Sequence, residues 1–197
     1  LTDCAEKSLY EFANDEYEVP LEYISIEGRP KFEEEGRLVD PGHTMESLWF
    51  CMRTGKELGK IQYCKRAEKV LDWVIERCYD EEYGGFYQHV DVDGGMKNPR
   101  FMVSDYAGKT AAWDDKIWWV QAEGLYALEM SALYNENERH YAYFIKMYDY
   151  IQSYFRDKKY VSVVFLNYIS NDVDLLRILR NMMPIIEFNI NLNRKGN

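Results

Sequence analysis

Two stretches of the chain carry side chains whose types and spacing suit chemistry. The first is Asp40-Pro41-Gly42-His43-Thr44-Met45-Glu46, where a loop turns into a helix. His43 and Glu46 are three apart and share a helical face. An imidazole titrating near about 6.5 takes or gives a proton at neutral pH. Free N–H groups at a helix start lower its proton affinity, and a nearby carboxylate raises it. The plainer reading is a helix-start histidine with a capping-box-like glutamate. The second stretch is Asp114-Asp115-Lys116-Ile117-Trp118-Trp119-Val120-Gln121-Ala122-Glu123. Trp119 and Glu123 are four apart. Aromatic faces beside Gln121 and Glu123 suit a sugar, with rings covering C–H patches and polar groups holding hydroxyls. A core tryptophan pair with exposed polar neighbours is the alternative.

Other candidates read as structural. His89 sits in an expected hairpin and His140 opens an amphipathic helix, so both are surface or packing residues. Asp91 and Asp93 have calcium-like spacing, but no glutamate follows at EF-hand distance, and Asp93-Gly94-Gly95 reads as a turn. Phosphate-loop, dinucleotide, nucleophile-elbow and zinc-helix motifs are absent from the sequence. Cys4, Cys51, Cys64 and Cys78 form neither CxxC nor a zinc pattern. They read as reduced thiols of a cytoplasmic protein.

The elements that must position these residues are mostly helical. Helices are expected at 2–14, 43–57, 61–79, 114–134 and 138–156, each with apolar residues three or four apart. An irregular or extended stretch runs through Pro20 to Ile26, and Glu33-Glu34-Glu35 reads as a solvated loop. Phe86 to Val92, between glycine turns, reads as a short strand or hairpin. Residues 96–113 read as loop. Trp73 to Tyr83 echoes Tyr150 to Tyr160, each the end of a helix followed by Asp-x-x-Tyr. Helix pairs repeating with hairpins between them suggest a toroid or solenoid.

The chain has 197 residues and a net charge of −10, against the sign expected of a general nucleic-acid or anionic-membrane binder. No apolar run reaches the roughly 20 residues of a membrane span. The expected organisation is a partial domain over 1–160 and an atypical tail over 161–197. That tail is rich in Ile, Leu and Asn, and it reads as the product of a retained intron or frameshift. The start at Leu1 suggests a processed product or an incomplete fragment.

Gly36-Arg37-Leu38-Val39-Asp40-Pro41-Gly42-His43-Thr44-Met45-Glu46-Ser47-Leu48-Trp49 resembles the GR-x-x-x-PGH-x-x-E-x-x-W motif of N-acylglucosamine 2-epimerases, also called renin-binding proteins. Lys116-Ile117-Trp118-Trp119 through Glu123 is similar to that family's K-x-WW-x-x-x-E helix, and the likeness covers about residues 27–160. It implies an all-α fold, part of an (α/α)6 toroid or barrel of antiparallel helix pairs with short β-hairpins in the connections. It implies an isomerase that interconverts N-acetylglucosamine and N-acetylmannosamine by proton transfer at C2. By motif, His43 is one of two acid/base histidines and Glu46 orients it or holds a hydroxyl. Trp118, Trp119, Gln121 and Glu123 shape the amino-sugar site, and Arg37 binds a polar sugar group. The family's second catalytic histidine lies in a later FH-x-PR motif with no counterpart here, so little turnover is expected of this chain alone. No cofactor is implied. The resemblance leaves room for a homodimer and for a nucleotide effector. Two other readings stay open: a non-catalytic sugar- or protein-binding protein, and a toroid glycosidase using carboxylates such as Glu46 and Asp115.

Overall fold

The computed structural model describes residues 2–32, 34–95 and 113–155. The readings made for 96–112, for the end of the internal echo and for the 161–197 tail lie outside the described residues. Helix α1, Thr2–Lys7, leads into a wider π-type turn at Ser8–Phe12, then strand β1, Ala13–Asn14, and strand β2, Val19–Pro20. The helix expected over 2–14 thus gives way early. The Arg66 guanidinium takes up released carbonyls, donating to Leu9 O at 2.7 Å and to Ala13 O at 2.9 Å. After a short 3-10 turn come β3, Leu38–Val39, and helices α2, Pro41–Glu57, and α3, Ile61–Cys78. Strand β4, Val90–Asp91, and helices α4, Trp118–Asn135, and α5, Glu138–Tyr154, complete the described elements.

Short connections make the helices antiparallel neighbours. Only Leu58 to Lys60 separate α2 from α3, and Gly59 takes φ +66°. Only Glu136 and Asn137 separate α4 from α5. Glu136 is left-handed, and the Asn137 side chain accepts from His140 N at 2.9 Å to start the next helix. Helix α2 packs on both α3 and α4, and α4 packs on α5. The seam is apolar: Met45, Leu48 and Met52 of α2, Val70, Leu71 and Val74 of α3, and Leu125 and Leu128 of α4 are all buried. Cys51, Cys64 and Cys78 are buried free thiols, and Cys4 is exposed. Among the described residues no helix is long and apolar enough to cross a membrane.

At α4 and at the Phe86–Val92 segment, partners distant in sequence override the local pattern. Helix α4 begins at Trp118 rather than 114. The carbonyls of Trp113 and Asp115 accept from His89 N at 3.2 Å and Gln88 N at 2.8 Å, which keeps that approach out of the helix. The expected local hairpin at Phe86–Val92 does not close on itself. Val90–Asp91 pairs antiparallel with Leu38–Val39, just ahead of α2, and Phe86 bridges to Tyr79.

The turn after α3 is built by Asp80, whose Oδ1 accepts from the backbone of Glu82 and Tyr83, each at 2.9 Å. Burial pulls the Asp80 carboxyl up, but Lys116 and these backbone donors outweigh it and hold it at about 2. Gly85 follows at φ +80°, with the Tyr150 ring against it. A Cβ there would lie 2.5 Å from Tyr150 Cε1. Gly85→Ala combines a disfavoured backbone region with a clash and should cost about 2–4 kcal/mol. Urea denaturation checks this, and an unchanged midpoint would contradict the turn described.

Candidate active site

The pairing of β3 with β4 builds the site. Its register sets Leu38 opposite Asp91 and Val39 opposite Val90. One step outward at one end, Val92 N donates to Arg37 O at 3.0 Å. There the Arg37 guanidinium clamps the ladder, with Nε 3.1 Å from Asp91 Oδ2 and Nη2 2.6 Å from Asp93 Oδ2. Arg37, expected to meet a sugar, is thus engaged by the two aspartates whose spacing resembled a calcium loop. Just beyond the other end lie Asp40 and His89, the residues that follow Val39 and precede Val90.

Asp40 is extended (φ −102°, ψ 101°), and its Oδ1 accepts from His43 N at 3.0 Å. Pro41 fills the first helical position, where no N–H is needed. Helix α2 therefore starts two residues earlier than its apolar pattern suggests. His43 lands in the first turn with its side chain about half exposed. Its Nδ1 lies 3.1 Å from Glu22 Oε1 and 3.5 Å from Asp40 Oδ2. Among the described residues no hydrogen bond occupies Nε2. The bond to Glu22 outweighs partial burial and, with the charges of Asp40 and Glu46, lifts the His43 imidazole to about 9. The carboxylates thus outweigh the helix start and favour the protonated ring. Glu46 lies half-buried one turn along α2. The orienting contact foreseen for it falls to Glu22 and Asp40, while its charge acts on both His43 and Glu123.

Helix α4 supplies the other wall. The rings of Trp119 and His43 have centroids 5.4 Å apart, tilted by 36°. This approach needs Gly42, where a Cβ would stand 2.4 Å from the Trp119 ring. Trp118 projects about 100° around the helix and is exposed. Glu123 accepts from Trp49 Nε1 at 2.6 Å. Burial raises its carboxyl proton affinity, the Trp49 N–H opposes this, and the Glu46 charge adds to it. Gln121 is fully buried, and its amide brackets Phe86, accepting from Phe86 N and donating to Phe86 O, each at 2.8 Å. It therefore fastens the 86–90 segment to α4 instead of facing a sugar hydroxyl.

The structure thus brings His43, Asp40, Glu22 and Trp119 together, with Glu46 and Glu123 nearby, and sets Arg37 and Gln121 to hold the frame. Sequence reasoning missed Glu22, for which an acidic residue in an irregular stretch is no signal. It also missed Trp49 as the partner of Glu123; His89, read as a surface or packing residue, is buried. Among the described residues no group of His, Cys, Asp and Glu is arranged to hold a metal ion.

A sequence model of the N-acylglucosamine 2-epimerase (GlcNAc 2-epimerase) family matches residues 3–163. The chain belongs to this family. The N-acylglucosamine 2-epimerase of Rattus norvegicus is 26% identical over 158 residues, which are 80% of this chain and 35% of that protein. The Homo sapiens protein of the same name is 25% identical over 158 residues, 34% of its length. The chain spans about a third of the length of these curated relatives. A D-mannose isomerase structure is similar with a TM-score of 0.60 at 18% identity, over 78% of this chain and 38% of that one. A sugar epimerase from a ruminal bacterium is similar at 0.59 and 16%, over 78% and 35%. At such identities the likeness is one of fold, that of (α/α)6 barrel helix pairs, of which this chain carries a part.

The His43 charge has a defined pH window. Its proton affinity is raised over the ordinary 6.5, so the pairing with Glu22 supports the fold fully below 6.5 and is lost as pH rises through about 9. In a proton NMR titration His43 should titrate near 9 in this chain. Glu22→Gln should move it toward 6.5, and an unshifted His43 in that variant would remove Glu22 from the site.

Proposed function

We propose that this chain carries part of the active site of a sugar 2-epimerase that interconverts N-acetylglucosamine and N-acetylmannosamine. The supporting observation is His43, a half-exposed imidazole steered at Nδ1 by two carboxylates, without a hydrogen bond at Nε2 among the described residues, and set beside the Trp119 ring. Family membership and the names of the curated relatives support the substrate class. In the open-chain sugar, neutral His43 removes the C2 proton, and the C–H electron pair passes into an enolate with the C1 carbonyl. Imidazolium His43 returns a proton to C2, after which the carbonyl re-forms. Trp119 covers an apolar sugar face, with Trp118 extending that wall, and Glu46 and Glu123 take hydroxyls. Arg37 and Gln121 contribute by holding the ladder and the 86–90 segment in place.

At neutral pH His43 is mostly a proton donor, so removal of the C2 proton is limited by the small neutral fraction. Epimerisation needs protonation from the face opposite to abstraction, and one histidine serves one face. This chain alone should therefore exchange the C2 proton without forming the epimer. Proton NMR of N-acetylmannosamine in D2O tests this against a His43→Ala control. The His43-dependent rate should rise by roughly tenfold per pH unit and level off near pH 9. Exchange that survives His43→Ala would overturn the assignment. Sugar binding without exchange at any pH would replace the epimerase reading with that of a binding protein.

A further inference from the structure

The site contains a second imidazole that the chemistry above does not use. His89 is 4% exposed, and among the described residues neither of its ring nitrogens has a hydrogen-bond partner. Buried polar atoms are almost always paired, and leaving one unpaired is costly. The acceptor facing the ring is Asp40 Oδ2, 3.6 Å from His89 Nδ1. The same oxygen lies 3.5 Å from His43 Nδ1, while Asp40 Oδ1 is committed to the start of α2. One carboxylate oxygen therefore faces two imidazoles, one half-exposed and one enclosed.

We propose that His89 is a positioning residue for His43, acting through Asp40: its Nδ1–H is aimed at Asp40 Oδ2 and holds that oxygen against His43. The placement is built in. Residues 40 and 89 lie just beyond the last β3–β4 pair, Val39 and Val90, and the backbone of His89 is anchored to Trp113 O at 3.2 Å. The Trp113 ring stands edge-on to the imidazole at 6.3 Å, and Gln121 fixes the segment at Phe86. A movement of about half an ångström would turn 3.6 Å into a hydrogen bond.

The charges favour the same arrangement. The ionisable groups acting on His89 are Asp40, Glu22 and His43; those acting on His43 are Glu22, Asp40 and Glu46. Burial outweighs the two anions and lowers the proton affinity of His89, so it meets Asp40 as a neutral donor. Burial also pushes Asp40 toward protonation. A neutral N–H donor stabilises the ionised form without bringing a second cation beside His43. Removing that donor makes Asp40 easier to protonate and withdraws one of the anions that hold the proton on His43.

The relevance to catalysis rests on His43 being the proton-transfer group, but the test reads ring protonation and not turnover, so the two ideas fail separately. In the unmodified chain with 15N-labelled histidine, long-range 15N–1H correlation at neutral pH reports the tautomer. His89 should carry its proton on Nδ1, leaving Nε2 bare. A proton on Nε2 alone, or a doubly protonated ring, would overturn the inference. In addition, His89→Phe should lower the His43 titration midpoint by about 0.5–1 unit, and His89→Gln, which keeps an N–H donor, should restore it. A folded His89→Phe variant with an unmoved His43 would show that His89 only fills space. If His89→Phe does not fold, the tautomer in the native chain decides.

Discussion

Asp40 sits where a two-residue ladder meets a helix, and its two oxygens serve different parts of the structure. Oδ1 accepts the His43 backbone N–H and fixes where α2 begins, which places the His43 side chain in the first turn. Oδ2 faces the imidazoles of His43 and His89. A buried carboxylate is costly unless donors or cations surround it. The helix N–H, the His43 imidazolium and the His89 ring are those groups. At the far end of the ladder the opposite arrangement holds, with one guanidinium between Asp91 and Asp93. The ladder is thus clamped by charge at the Arg37 end, and Asp40 and His89 face each other beyond the other end.

The second constraint is the close approach of α4 to the start of α2. Gly42 lets the Trp119 ring lie against the helix start, and Gln121 ties Phe86, hence the segment leading to His89, to the same helix. Helix α4 buries Val120, Gln121, Gly124, Leu125, Ala127 and Leu128 along one broad face, and Glu129 and Met130 beyond it. A helix packed on several sides is a rigid base. Trp119 and Glu123 are therefore held by the core and not by loops.

The sequence made the helices legible because their apolar spacing is local: α3 was expected at 61–79 and runs Ile61–Cys78. The proline–glycine–histidine stretch and the tryptophan helix also pointed to His43 and Trp119, whose rings the structure brings together. Illegible were the consequences of pairing between distant segments. The partner of Val90–Asp91 is strand β3, two helices earlier, and that choice brings His89 beside Asp40. Glu22 approaches from an irregular segment with no periodic pattern. Arg37 and Gln121 have the side chains of a polar site, and only the structure shows aspartates and a backbone amide already using them.

The central claim is that the Asp40 carboxylate both starts α2 and helps hold the proton on His43. Asp40→Asn separates these roles, because asparagine is as good a helix N-cap but carries no charge. The measurement is the NMR titration of His43 in that variant, with thermal unfolding alongside. The account predicts an unfolding midpoint close to that of the unmodified chain and a His43 titration clearly below about 9. A folded Asp40→Asn chain in which His43 still titrates near 9 would contradict it.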